Sequence, residues 1–446
     1  MNIINAFFPF IDFLYILQLE EYDTLAYLNW VKTRYYKRNL QKVGKITWTR
    51  KSELLLVLII GLFIGTLILF WPNNLVYQIA FIIVLTVFTP LYVALANIIF
   101  SPLDQLIKNN TIKNAAIKIK SLPECSVIAV AGSYGKTTTR NFIYQLLKPD
   151  FEIHTPQQNY NTLYSLSEDI LQNVNQKHKY YLVELGEYKP GDLLKFYNLL
   201  DPEIVIITAI GSQHIATFGT QQNINNEFSS LVSVAKAKTI ILNNDDSTIN
   251  TLYGQDSSYK HFSKNSLLDV GIKSLPAHLD ISHIKEDIAG AIEVAKTIGL
   301  ENDAILARVQ HMQTTERRMD VTIQNEITII DDSYNINPQS AKDAFEYIMS
   351  LKGRKIVVTG GIVDQGDNWW KENSKFADLI SQVADIVIVA NNIFAPVISN
   401  TIKNHNKKCE VIISAHPTNT TQILKNLLKS GDIVLIQNEL PDTYWN

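Results

Sequence analysis

AVAGSYGKTTTR, residues 129–140, lies on the apolar run SVIAV (126–130) and leads into RNFIYQLLK (140–148). Strand, glycine loop and helix in that order form a phosphate-binding loop: backbone N–H groups at the helix start cradle phosphates, and the helix dipole adds to the attraction. The residues placed for this are Gly132, Ser133, Gly135, Lys136, Thr137 and Thr138. Lys136 can set its ammonium against β- and γ-phosphates, and the Thr137 hydroxyl can ligate Mg2+. The general pattern has a glycine five residues before Gly135, where this chain has Val130. The competing reading is a glycine-rich turn with an incidental lysine.

Outward from the loop, short β-branched runs alternate with helix-length stretches: YYLVEL, IVIITAI and KTIILNN, then, after HMQTTERRMD, ITIIDDS, RKIVVTGG, ADIVIVAN, CEVIISA and GDIVLIQN. Such runs are buried strands of parallel sheets with crossover helices. The fold class is therefore α/β: a P-loop-type parallel-sheet ATPase domain at 123–310 and a Rossmann-like α/β domain at 311–446.

Upstream the composition changes. Leu54 to Trp71 gives 18 uncharged, mostly apolar residues, and Leu75 to Phe100 gives 26 more, interrupted by Gln78, Pro90 and Asn97. Each is long enough to cross a bilayer, which takes about 20 residues, and the PNN link between them leaves room only for a turn. This predicts a transmembrane helical hairpin at 53–103, followed by a linker at 104–122. Residues 1–52 form an amphipathic, basic segment. Eight cations and no acid lie between Thr24 and Ser52, and Lys108, Lys113, Lys118 and Lys120 follow the second span. Both flanks then lie on the cytoplasmic side, as expected of a multi-pass inner-membrane protein with its catalytic domains in the cytoplasm. The apolar start, residues 1–18, contains Pro9 and Asp12 and reads as an interfacial or partner-docking helix. The net charge of −3 gives no sign of a nucleic-acid partner, and two distant cysteines, Cys125 and Cys409, match neither a metal spacing nor a disulfide framework.

Two further segments sit at strand ends, where open α/β sheets bind ligands. YYLVELGEYKPGDL ends a strand at Glu184, and ITAIGSQHIATFGT puts His214 just past another. Taken singly, each is an ordinary loop residue; together with Thr137 they can converge on one metal–nucleotide site. These segments, with GSYGKTTT and DDSYNINPQSAKDAF, resemble the successive signatures of the Mur ligase family. The similarity is greatest to the D-alanyl-D-alanine-adding (MurF-type) branch and extends from about residue 123 to the C-terminus.

The resemblance implies an ATP-dependent, ADP-forming ligase that joins a carboxylate to an amine through an acyl phosphate. Its cofactors would be ATP and Mg2+. Lys136 would stabilise the transferring phosphoryl group, with Thr137 and Glu184 holding Mg2+ and His214 helping to place a second. Arg318 would reach the nucleotide from the C-terminal side. Asp332, or its neighbour Asp331, would fix the domain closure, and Asp287 stands where the family has an adenine-contacting asparagine. Tyr334, Asn335 and Asn337 would face the amine substrate. Asn159, Asn161 and Thr162 would face the acyl substrate.

The chain also departs from the family. The usual N-terminal UDP-binding domain is replaced by the basic segment and hairpin, which points to a cell-envelope precursor, lipid-linked or presented at the membrane, together with an amino acid or short peptide. Membrane lipid and envelope-synthesis proteins are the other expected partners. Phe228 falls near the family's modified lysine, with Glu227 beside it as a carboxylate that could substitute. The C-terminus lacks the branch's lysine–glycine–serine–arginine string. A second reading follows from the departures at Phe228 and Asp287: a catalytically degenerate, nucleotide-binding scaffold at the membrane. An ATP-driven transporter is disfavoured, because two spans without an intramembrane charge offer no pathway.

Overall fold

A computed structural model of the protein describes residues 9–34, 45–157, 160–236, 238–276, 278–314, 316–334, 336, 338–363, 368–390, 393–405, 408–414 and 417–437. Its first sheet comprises β1 (Ser126–Ala131), β2 (Ile153–His154), β3 (Tyr180–Glu184), β4 (Ile204–Ile207), β5 (Thr239–Asn243) and β6 (Lys260–Phe262). Their order is β2-β3-β1-β4-β5-β6, and every pairing is parallel. Ile128, Val130, Val183, Leu182, Val205 and Ile206 are all fully buried, as strands covered by helices on both faces require. After β1 the chain crosses to the edge strand β2, comes back inward to β3 beside β1, and then pairs β4 on the other side of β1. That reversal opens a crevice beyond the carboxyl ends of β1, β3 and β4, the usual ligand position of such sheets.

The second sheet comprises β7 (Asp320–Gln324), β8 (Ile327–Asp332), β9 (Lys355–Thr359), β10 (Ile386–Val389), β11 (Glu410–Ile413) and β12 (Ile433–Gln437), in the order β11-β10-β9-β12-β8-β7. Five strands run parallel; β7 is antiparallel to β8. The sheet is therefore mixed. Its added edge strand follows from Asn325 and Glu326, both at positive φ (50° and 62°), the backbone of a two-residue hairpin turn.

Among the described residues, five helices precede the sheets: Phe10–Leu19, Thr24–Arg34, Arg50–Phe70, Leu75–Val87 and Thr89–Lys120. Two of them, Arg50–Phe70 and Thr89–Lys120, are long and apolar enough to cross a membrane. The outer surface of Arg50–Phe70 and of the short helix after it is apolar and exposed at Ile64, Ile68, Leu69, Phe70, Leu75, Val76, Ile79 and Ile83. Phe10–Leu19 docks within the chain: Phe13, Leu14, Ile16 and Leu17 are buried in a cluster with Tyr27, Leu55, Ile59 and Val93. Asn97, the polar interruption of the second apolar segment, donates to Tyr22 O (2.8 Å) and Thr24 Oγ1 (2.9 Å), so its amide is satisfied by this N-terminal layer.

Two expectations are corrected. The second apolar segment is broken at Phe88 into two helices, because Pro90 cannot continue the first one. Residues 104–120 are not a linker. They are the second half of Thr89–Lys120, which runs on through Pro102 and packs against the helices Leu163–Gln172 and Asp192–Leu200 of the first α/β unit. Lys118 Nζ fastens that contact by donating to Leu171 O at 2.9 Å.

Candidate active site

β1 ends at Ala131, and the loop turns on two glycines that no other residue could replace cheaply. Gly132 has φ +144°, and a Cβ there would lie 2.1 Å from Thr208 Oγ1; Gly135 has φ +80°, with Asp287 Oδ1 2.4 Å from its would-be Cβ. Gly135 caps the helix Lys136–Leu147, so the helix start opens into the crevice. Ser133 Oγ accepts from Gly211 N at 3.0 Å, tying the loop to the segment after β4. Lys136 Nζ donates to Gly132 O and to both oxygens of Glu187, at 2.9 and 3.1 Å. Glu187 is 2% exposed, and burial raises its pKa against the pull of Lys136. The ammonium is thus held extended over the loop by a buried carboxylate that no sequence motif picks out; the only signal is a second acid three residues after Glu184.

A cavity of about 970 Å³ opens over this loop. Its walls bring together Ser133, Gly135, Lys136, Thr137, Thr138, Glu184, His214, Asp287, Arg318, Asp332, Asn161 and Tyr334, all residues expected from the sequence. Gly132 contributes through its carbonyl. Glu184 is 2% exposed, and its Oε2 has no hydrogen-bond partner, an arrangement whose desolvation cost a cation would relieve. His214 faces the same space with its ring 5.0 Å from that of Tyr188. Burial, reinforced by the Lys136 charge, lowers its pKa to about 4, leaving the neutral imidazole that ligates metals. Among the described residues no three His, Cys, Asp or Glu side chains cluster as a complete metal cage. That suits Mg2+, which is usually bound by one or two protein oxygens plus water and substrate phosphates. Thr137 and Glu184 supply oxygens of that kind, and His214 supplies a ring nitrogen in the same lining.

The second α/β unit closes the cavity. Arg318 Nη2 donates to Thr137 Oγ1 (3.3 Å), and its guanidinium lies 4.5 Å from the Tyr334 ring centroid. Asp287 accepts from Thr139 Oγ1 at 2.8 Å, and burial pushes its pKa up to about 7. Burial likewise pushes Asp332 up to about 6; the side-chain amide of Gln437 stands 3.5 Å from its Oδ2. Between the units, His283 pairs with Asp343 at 2.9 Å. Burial opposes the imidazolium, but the Asp343 hydrogen bond and the Asp287, Asp343 and Asp332 charges raise the His283 pKa. The pairing is not visible in the sequence: Asp343 falls within DDSYNINPQSAKDAF, but His283 is 60 residues away and belongs to no motif.

At the far end, Asn161 Oδ1 accepts from the Tyr188 hydroxyl at 3.2 Å. Thr162, expected at the substrate, serves the backbone instead. Its hydroxyl accepts from Ser165 N at 3.2 Å in a capping box at the head of Leu163–Gln172, and it does not line the cavity. Asn159, Asn335 and Asn337 lie outside the described residues. Glu227 does not replace the family's modified lysine. It accepts from Gly191 N (2.6 Å) and Leu193 N (2.7 Å), capping the helix Asp192–Leu200, while Phe228 is fully buried in the core.

Comparison with known proteins agrees with this architecture. Residues 130–294 match the family model described as Mur ligase middle domain, and residues 317–437 match Mur ligase, glutamate ligase domain. The chain is 23% identical over 332 residues to the UDP-N-acetylmuramoyl-tripeptide–D-alanyl-D-alanine ligase of Bacillus subtilis, covering 70% of this chain and 72% of the relative. It is 25% identical over 364 residues to the enzyme of that name from Buchnera aphidicola, covering 72% and 74%. Among solved structures, the MurF ligase of Thermotoga maritima in complex with ADP superposes with a TM-score of 0.63 at 21% identity, over 80% of that chain and 74% of this one. The two matched domains, in this order and joined at Arg318 over a phosphate-binding loop, make the chain a member of the Mur ligase family.

Proposed function

We propose that this protein is an ATP-dependent, ADP-forming amide ligase acting on a peptidoglycan-type precursor, held at the cytoplasmic face of the membrane by its N-terminal helices. The observation that carries the reading is the convergence of Lys136, Thr137, Glu184, His214 and Arg318 on one cavity in which a buried Glu184 oxygen lacks a partner. The exposed apolar faces of Arg50–Phe70 and Thr89–Lys120 and the cationic flanks support the membrane placement.

The chemistry runs in two displacements. A substrate carboxylate oxygen attacks the γ-phosphorus of ATP, and ADP leaves with the electron pair of the broken P–O bond. The amine nitrogen then attacks the acyl carbon, phosphate leaves, and the nitrogen loses a proton. Lys136 exchanges Glu187 for phosphate oxygens, and the Gly135–Thr138 backbone fixes the β-phosphate. Arg318 brings a second cation from the other unit, so charge neutralisation depends on both domains being in place. Thr137, Glu184 and His214 would hold Mg2+, which supplies Lewis-acid neutralisation of the phosphates when bound.

The scaffold reading draws on Phe228 and Glu227, which leave the modified-lysine position without a metal-supporting group. ADP release by the detergent-solubilised protein decides between the two. It is offered UDP-muramyl tripeptide with D-alanyl-D-alanine, then lipid-linked precursors with single amino acids, with Lys136→Ala as control. Release that needs both substrates establishes the ligase; ATP bound and never consumed across the panel establishes the scaffold.

A further inference from the structure

The cavity has one wall that comes from neither α/β unit. Glu21, at the end of the first N-terminal helix, lines it together with Tyr188, Tyr334 and Asn161. Glu21 and Tyr22 are consecutive non-glycine residues at positive φ, 51° and 63°. Such backbone costs energy and persists only where its surroundings over-determine it. Here they do. Tyr22 N donates to Leu17 O at 2.8 Å, Tyr22 O accepts from Asn97 Nδ2 at 2.8 Å, and Lys51 Nζ lies 3.9 Å from the centroid of the Tyr22 ring. Lys51 is itself fixed by Asp104 at 2.7 Å. The clamps come from both long helices and hold Tyr22, so the residue before it is presented to the cavity.

Glu21 has no cation paired with it among the described residues, although Lys51 stands one residue away on the Tyr22 face. Its charge is felt at the Tyr188 phenol, which burial, with the Glu21 and Glu187 charges adding, pushes up to about 12. Lys136 is already paired with Glu187 and Arg318 lies against Tyr334; Glu21 adds to the lining a carboxylate unpaired among the described residues, at the rim it forms with Tyr188, Tyr334 and Asn161. A carboxylate substrate is repelled from that rim, whereas an ammonium is attracted and oriented.

We infer that the Glu21 turn is a substrate-binding wall of the active site and that the Glu21 carboxylate receives an ammonium group of a substrate. This inference rests on the ligase reading. The ammonium can belong to the incoming amine or to a side chain of the acyl substrate, and kinetics separates the two. Glu21→Gln in the full-length, detergent-solubilised protein is expected to raise one KM about tenfold or more, the scale of a lost charge-assisted hydrogen bond. The KM for ATP stays within about twofold of wild type, and Glu21→Asp restores most of the loss. A rise confined to D-alanyl-D-alanine assigns the incoming amine; a rise confined to UDP-muramyl tripeptide carrying a diamino acid, and absent with its N-acetylated form, assigns the acyl substrate. Unchanged KM values for both overturn the inference. So does a uniform loss of turnover shared by Glu21→Asp with a lowered Tm, which makes the turn a structural element only. If the wild type turns over nothing in the panel, the ligase reading fails, and calorimetry with the same two compounds decides this one. An affinity about tenfold weaker in Glu21→Gln supports it; equal affinities, or no binding by either protein, overturn it.

Discussion

The two ends of the cavity are built differently. The nucleotide end is local: Gly132 to Thr138 arrive in one turn between a strand and a helix, and Glu184 and His214 are delivered by the strands that flank β1. The rim is assembled from four distant places, Glu21, Asn161, Tyr188 and Tyr334. A site made by one turn of chain is fixed by its own hydrogen bonds. A site made by several elements is only as accurate as their packing, and it is where a family with common chemistry can change its substrates.

That contrast can be broken by mutation. The largest effect belongs to Lys136→Ala, expected to lower kcat by about 10³-fold or more, since positioned charge is the main catalytic term in phosphoryl transfer; single-turnover ADP formation measures it. Glu184→Gln is isosteric but carries no charge. It should cost about 10²-fold and raise the Mg2+ concentration needed for half-maximal rate, read from a Mg2+ titration at saturating ATP. Comparable losses from Asn161→Ala or Tyr188→Phe would mean that the rim is as much a part of the chemistry as the loop, and would erase the distinction.

Two smaller effects concern stability. Glu227→Ala removes the acceptor for the buried Leu193 N–H and the half-buried Gly191 N–H and should lower unfolding free energy by about 2 kcal/mol, with turnover at low temperature retained; a loss of turnover without loss of stability would return Glu227 to the metal site. Asp287→Asn tests a pH effect. The folded-state pKa of Asp287, about 7, lies above the usual carboxylate value, so the native protein binds the extra proton and stability falls as pH rises between about 4 and 7. The variant escapes that loss. Its Tm relative to wild type should improve by a few degrees across this window and level off above it.

Legibility in the sequence follows the same division. The phosphate loop, Glu184, His214 and most of the strands are short-range patterns, each contained in about a dozen residues. β7 is not legible, because an Asn–Glu turn looks like any polar loop until both residues are seen at positive φ. Thr162 reads as a substrate residue although Thr-Leu-Tyr-Ser also spells a helix cap, and the local hydrogen bond takes the hydroxyl. Glu187, the His283–Asp343 pair and Glu21 depend on contacts between remote segments, for which a single sequence carries no periodic signal.

The helix Thr89–Lys120 has 32 residues, about 48 Å at 1.5 Å per residue. It leaves the apolar hairpin and ends against the first α/β unit without an intervening flexible segment. In mechanical terms it is a strut and not a leash. On the membrane reading, the catalytic mouth then rides at a set height and orientation above the bilayer. Its search for substrate becomes two-dimensional, limited by lateral diffusion and not by the reach of a loose chain. Precursors whose reactive carboxylate stands off the surface by that height would be served at every encounter, and those with shorter head groups would pass beneath the mouth.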